Sequence, residues 1–194
     1  MSVTALAHAV GEKPVWESTG RGMSWGRVLH GVLEALMRDP GVDVRAVAAN
    51  LLAEEERPAG EIEEVVRLAA DVARSPLWAR ARAAKRTLVE VPFAIDAPRE
   101  ELGLSDGPPR AVLQGAIDLV FEEEDGWVLV DYKSDAVTPE NRAGLVRFYT
   151  PQVDTYRRWW RLLTGRPTRA GIFFAQTGDT EWIPDSFTTP SSPP

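Results

Sequence analysis

Asp118, Asp131 and Lys133 are the residues of this 194-residue chain whose types and spacing could do chemistry together. They sit in two apolar runs, LQGAIDLVF (Leu113–Phe121) and WVLVDYK (Trp127–Lys133), joined by an acidic turn at 122–126. The runs read as a β-hairpin. Alternate strand residues share a face, so Asp131 and Lys133 project together. Counting back through the turn sets Asp118 nearly opposite Asp131. Charge is costly to bury unless it is paired or metal-bound, and the hairpin therefore reads as a divalent-metal site for hydrolysing phosphodiesters. That reaction needs a nucleophilic water and relief of charge on the phosphate and leaving oxygen, and a divalent ion supplies both. Magnesium favours oxygen ligands, commonly one or two carboxylates plus waters and phosphate oxygens. Asp118 and Asp131 offer the carboxylates, and Lys133 can orient the water or stabilise transition-state charge. A lone Asp-x-Lys is more often an ion pair; Asp118 in hairpin register tips the reading toward chemistry.

The elements that must position these residues are legible from periodicity. Trp25, Val28, Leu29, Val32, Leu33, Leu36 and Met37 follow the spacing of an amphipathic helix, with Ser24 as N-cap and Pro40-Gly41 as its end. His30 falls on the flank of that stripe, where it can look into a cleft between helix and sheet. Further helices are expected over Val44–Glu56, Glu61–Arg74 and, after Ser75-Pro76, to about Ala84. Thr87–Ile95 has strand character, and Pro92 makes it an edge strand or a strand with a break. Asp96–Arg110 reads as a surface loop. A segment from Thr138 or Pro139 becomes a long helix by about Val146 and ends near Gly165, followed by a buried strand over Arg169–Ala175 and a short edge at Glu181-Trp182-Ile183. The order predicts an α/β fold: a mixed central sheet flanked by helices, with an N-terminal helical portion. The expected organisation is one domain over 21–184, a loosely ordered leader at 1–20 and a disordered tail at 185–194.

Composition bounds the function. No apolar run approaches the roughly 18 residues of a membrane span, and no basic segment leads into an apolar stretch, so neither a membrane partner nor a signal peptide is expected. There is no cysteine, which excludes disulfides, thiolate zinc and cysteine-ligated iron–sulfur clusters. These features fit a cytoplasmic protein. The net charge of −7 argues mildly against holding nucleic acid by global attraction, although bases crowd Arg74–Arg86 and Arg142–Arg169. Local basic faces beside an acidic metal site would suit a nuclease; solvated helix faces are the plainer reading of any single arginine. Trp159 and Trp160 could stack on bases, but core packing is favoured. His8 is assigned no role.

Five motifs in order resemble the PD-(D/E)XK nuclease superfamily, and within it the RecB/AddA-like C-terminal nuclease domain. They are Gly26-x-x-x-His30-x-x-Leu33-Glu34, Val89-Glu90-Val91-Pro92-Phe93, Gly115-Ala116-Ile117-Asp118, Asp131-Tyr132-Lys133 and Gln152-x-x-x-Tyr156. The resemblance implies that His30, Asp118, Asp131 and the Tyr132 backbone carbonyl bind Mg2+ or Mn2+, and that Lys133 is the catalytic lysine. It makes Gln152 and Tyr156, one helical turn apart, a pair beside the site that touches DNA or holds Lys133, and Glu90 an accessory acid. Relatives that hold an iron–sulfur cluster do so with four cysteines, which this chain cannot supply. The relatives attach the nuclease to a helicase motor, and no Gly-x-x-x-x-Gly-Lys-Ser/Thr loop occurs here. The chain is then a solitary nuclease or a piece of a helicase–nuclease.

The expected function is a metal-dependent deoxyribonuclease of the exonuclease kind, cutting single-stranded DNA ends fed by a motor during end processing and double-strand break repair, in a cytoplasmic, nucleoid-associated setting. The alternatives are a catalytically silent nuclease fold serving as a DNA-binding or assembly module, and an interaction domain whose charged hairpin is only a salt-bridge cluster. Intact Asp118, Asp131 and Lys133 argue against silence.

Overall fold

The computed structural model describes residues 22–102 and 109–185. The expected leader at 1–20 and the tail from 186 onward lie outside the described residues, as do 103–108 of the expected surface loop. Four helices come first: α1 (Met23–Arg38), α2 (Val44–Glu54), α3 (Ile62–Ala73) and α4 (Pro76–Ala83). Then follow β1 (Arg86–Pro98), β2 (Arg110–Glu123), β3 (Gly126–Lys133), α5 (Pro139–Thr164), β4 (Thr168–Phe174) and β5 (Asp179–Trp182). Among the described residues the strands form one five-stranded sheet in the order β1-β2-β3-β4-β5. β3 and β4 run parallel, and the other neighbours are antiparallel. The chain is thus a mixed α/β sheet with helices on both faces.

That arrangement follows from the apolar patterning. A parallel pair needs a crossover, and here it is the 26-residue α5. With helices on both faces, β3 and β4 read as near-continuous apolar runs; Gly126 through Tyr132 are all buried. On one face α1 lays down Trp25, Val28, Leu29, Val32 and Leu33 beside Leu119, Phe121, Val128, Val130 and Phe173. On the other, α5 sets Leu145, Val153, Tyr156 and Trp160 against Val120, Leu129, Ile172 and Phe174. Each such side chain taken fully from water contributes about 2 kcal/mol. Trp160 meets Trp127 edge to face, with centroids 5.4 Å apart, so it is a core residue as favoured.

Several boundaries differ from the sequence reading. α1 is capped at Gly22, not Ser24; Ser24 lies in the first turn and its Oγ accepts a hydrogen bond from Arg57 at 2.9 Å. The expected loop from Asp96 is shorter, because the β1–β2 ladder continues to Pro98↔Arg110. The turn between β2 and β3 contracts to Glu124-Asp125, since the register Glu123↔Gly126 extends both strands. α5 is helical from Pro139, because Thr138 and Asn141 cap it reciprocally: the Thr138 N–H donates to Asn141 Oδ1 at 2.8 Å and the Asn141 N–H to Thr138 Oγ1 at 3.3 Å. The proline at its first position has no N–H to lose. Gly165, at φ 65°, ends α5 as expected.

The basic stretches are also largely engaged within the fold. Arg142 pairs with Asp179 and Glu181, Arg157 with Asp154 and Asp185, Arg166 with Glu122, and Arg80 with Glu123. A continuous basic face over Arg142–Arg169 is therefore not presented to solvent.

Gly126 sits where β3 starts against the β4 entry, at φ 153°, and a Cβ there would lie 2.3 Å from the Pro167 carbonyl oxygen. Backbone strain and overpacking together predict that Gly126→Ala loses about 3 kcal/mol in a denaturant melt. Gly60→Ala meets nothing within 4 Å and should change stability by under about 0.5 kcal/mol. Equal effects at the two glycines would contradict this packing.

Candidate active site

The site forms where two strands lose their regular alternation. In β2, Leu119 and Phe121 face the α1 side, whereas Val120 and Ile117 both face the α5 side although they are three residues apart. In β1, Leu88 and Val91 likewise both face α5 while Val89 faces α1. The phase slips by one residue in each strand, at Glu90 and Asp118. These two lie opposite one another, between the register pairs Val89↔Leu119 and Val91↔Ile117. Glu90 adopts φ 48°, a left-handed conformation that costs a non-glycine residue about 1–3 kcal/mol. The slip frees both carboxylates from the two apolar faces and turns them toward α1.

β2 and β3 part at the same level. Their ladder stops at Leu119↔Val130, one step before Asp118 would meet Asp131. In place of the next ladder bond, Asp118 Oδ2 accepts the Tyr132 N–H at 2.6 Å. From α1, His30 reaches into this split: Nε2 lies 3.1 Å from the Tyr132 carbonyl oxygen and Nδ1 3.3 Å from Asp118 Oδ1. With acceptors at both ring nitrogens, the doubly protonated imidazolium is favoured. Burial opposes that charge, but Asp118 outweighs it and holds the His30 pKa above its ordinary value. Asp118 shows the converse: burial would raise its pKa, yet His30, Lys133 and the Tyr132 N–H keep it below the usual carboxylate range.

Asp131 and Lys133 emerge on the α5 side. Lys133 Nζ lies 2.6 Å from Asp131 Oδ2 and donates to Gln152 Oε1 at 3.3 Å. Asp131 is 2% exposed; burial raises its pKa more than Lys133 lowers it, and Asp118 adds to the rise. Lys133 stays cationic, because Asp131 and Asp118 together overcome its desolvation. Gln152 Nε2 in turn donates to the Tyr156 hydroxyl at 3.4 Å, and Tyr156 stacks edge-on to Phe93 at 5.3 Å.

The structure therefore brings together His30, Glu90, Asp118, Asp131, Tyr132, Lys133, Gln152 and Tyr156. Among the described residues, ligand atoms of His30, Glu90 and Asp118 lie within 4.8 Å of one another, so Glu90 stands nearer the centre than an accessory acid would. Its carboxyl is pushed up to about 7, first by burial and then by the Asp118 charge. Three carboxylates crowded with one imidazole and one ammonium are an excess of negative charge that a divalent cation would relieve. The oxygen-rich donor set also suits Mg2+ or Mn2+. Sequence reasoning overlooked Asp135 and Tyr149, which contact the Lys133 end of the site. The spacing Tyr149-x-x-Gln152-x-x-x-Tyr156 was the available signal, since i, i+3 and i+7 share one helix face.

Comparison with known proteins agrees with this architecture. An ATP-dependent helicase/nuclease subunit of Alkaliphilus oremlandii is 36% identical over 155 residues, covering 74% of this chain and 13% of that protein. The protein of the same name in Desulforudis audaxviator is 35% identical over 182 residues, 88% of this chain and 15% of the relative. That from Acetivibrio thermocellus is 34% identical over 172 residues, 81% and 13% respectively. The chain thus spans only about a seventh of the length of these relatives. The sequence profile of the PD-(D/E)XK nuclease superfamily matches residues 7–186, and with the mixed sheet and the acidic split between β2 and β3, this places the chain in that superfamily.

Proposed function

We propose that the chain is a metal-dependent deoxyribonuclease that hydrolyses phosphodiester bonds, the nuclease part of an AddA/RecB-type helicase–nuclease. The observation that carries this reading is the convergence of His30, Glu90 and Asp118 within 4.8 Å of one another, beside the Asp131–Lys133 pair. In it, Asp118, Asp131, His30 and the Tyr132 carbonyl hold Mg2+ or Mn2+, and Glu90 adds a further carboxylate. When bound, such an ion supplies Lewis acidity toward a phosphate oxygen and lowers the pKa of water.

The chain's own residues do the rest. Lys133, cationic and only 14% exposed in its side chain, offers its ammonium to a phosphate oxygen, where low local polarity strengthens the attraction. Gln152 fixes that ammonium from α5 through its Oε1, and Tyr156 orients the Gln152 amide. Asp118 fastens the two strands by taking the Tyr132 N–H, which sets the distance between the two aspartates. The relatives' names support a setting in DNA end processing and double-strand break repair, with single-stranded ends delivered by a motor in the same or a partner chain. Exonuclease action and a cytoplasmic, nucleoid-associated location belong to the same proposal.

Labelled DNA incubated with Mg2+ or Mn2+ should be degraded, and EDTA should stop it. Asp131→Ala or Lys133→Ala should slow cutting by about 100-fold or more while DNA binding persists. Undiminished cutting in those variants would place the chemistry elsewhere. Binding without cutting by the unaltered chain would favour the silent module. In thermal melts, Mn2+ at about 100 times its Kd should add about 2.7 kcal/mol of stability, a gain that Asp118→Asn largely abolishes.

In EDTA the crowded carboxylates also set a pH dependence. Glu90 binds its proton more tightly in the folded than in the unfolded chain, so stability falls as pH rises from about 4.5 to 7. Glu90→Gln should therefore stabilise the metal-free chain at pH 8 by about 1 kcal/mol after discounting for solvent screening. It should make no difference at pH 4. Denaturant melts at the two pH values check this, and a loss of stability at pH 8 would contradict it.

A further inference from the structure

Tyr149 lies in the middle of α5, and neither the sequence motifs nor the proposed function gives it a role. Lys133 Nζ sits 4.2 Å from the centroid of the Tyr149 ring, well inside the range in which a cation is drawn to an aromatic face. The ring itself is held at both ends. Its hydroxyl donates to Asp135 Oδ2 at 2.8 Å, and its edge packs on Phe148 with centroids 5.0 Å apart. Asp135 follows Lys133 by two residues, so the hydroxyl tether runs from α5 back to the end of the strand that carries the lysine.

We infer that Tyr149 is a positioning residue for Lys133: its ring face, locked through the hydroxyl to Asp135, fixes where the ammonium sits. This inference rests on the reading of Lys133 as the group that meets the scissile phosphate. The physical need is specific. A lysine is a point charge on a flexible four-carbon stem and does not orient itself. The strongest pull on this one is the Asp131 carboxylate at 2.6 Å. Asp131 is also a proposed cation ligand, and positive charge gathered there weakens its hold on Lys133. The aromatic face carries no net charge and its attraction does not depend on the state of Asp131. Gln152 Oε1 at 3.3 Å gives a second neutral contact. Tyr149 and Gln152 together therefore keep the ammonium in place when its counter-ion is engaged elsewhere.

The test uses the 194-residue chain with Mg2+ and a saturating DNA oligonucleotide. Tyr149→Leu should lower kcat about tenfold, with KM and Mn2+ affinity unchanged. Tyr149→Phe keeps the ring, and it and Asp135→Ala, which removes only the tether, should each lose about threefold. Tyr149→Leu added to Lys133→Ala should cause no further loss, because a positioning residue has nothing left to position. Independently of turnover, ring current should shift the Lys133 ε-methylene protons upfield in the unaltered chain and in Tyr149→Phe, and the shift should vanish in Tyr149→Leu. If Tyr149→Leu fails to fold, Tyr149→Phe and Asp135→Ala with the NMR shift still decide. A wild-type kcat in Tyr149→Leu, unshifted Lys133 protons in the unaltered chain, or a loss that multiplies in full onto Lys133→Ala would overturn the inference while leaving Lys133 catalytic. Undiminished cutting by Lys133→Ala would overturn both.

Discussion

At Asp118 a side chain does what a main-chain carbonyl does elsewhere in the sheet. Its carboxylate takes the Tyr132 N–H at 2.6 Å just where the ladder between β2 and β3 ends. A buried N–H left without a partner would cost about 1–3 kcal/mol, so this bond lets two strands part without that penalty. The parting creates room between Asp118 and Asp131. It also leaves the Tyr132 carbonyl facing His30 rather than β2. Were the ladder to continue, the two aspartates would stand as directly opposed like charges, an arrangement that destabilises a sheet.

Both layers of helices are recruited to this split. α1 delivers His30 from one face, and α5 delivers Tyr149, Gln152 and Tyr156 from the other. The sheet is the fixed frame, because its central strands are packed on both sides. Charge is then arranged in opposite senses on the two sides. On the α1 side, His30 keeps Asp118 ionised. On the α5 side, Lys133 stays charged against a carboxylate whose own pKa is pushed upward by burial. The remaining strain, the left-handed backbone at Glu90 and its crowded carboxyl, sits at the point where a cation would offset it.

Much of this was legible in the sequence because it depends on period. Alternation in WVLVDYK gave β3 and the shared face of Asp131 and Lys133, and the 3.6-residue stripe gave α1 with His30 on its flank. Pro92 correctly marked an edge strand with a break nearby, since a proline cannot donate to a ladder. The phase slip was not legible. Val89-Glu90-Val91 reads as ordinary alternation, and only the pairing of β1 with β2 reveals that Val91 and Leu88 share a face. The helix start at Pro139 was underestimated because Thr138 and Asn141 act as a pair, while periodicity alone sees only the later apolar residues. The arginine-rich stretches looked like a solvent-facing surface because their acidic partners, Asp179, Glu181 and Glu122 among them, are distant in sequence.

The proposed cation site in the split between β2 and β3, built from Asp118, Asp131 and His30, is tested most directly by anomalous scattering from crystals soaked in Mn2+. A peak is expected at coordination distance from oxygens of both aspartates and from the His30 ring, and it should be absent from Asp118→Asn crystals treated identically. A map with no peak there, or with manganese held by neither aspartate, would contradict the site.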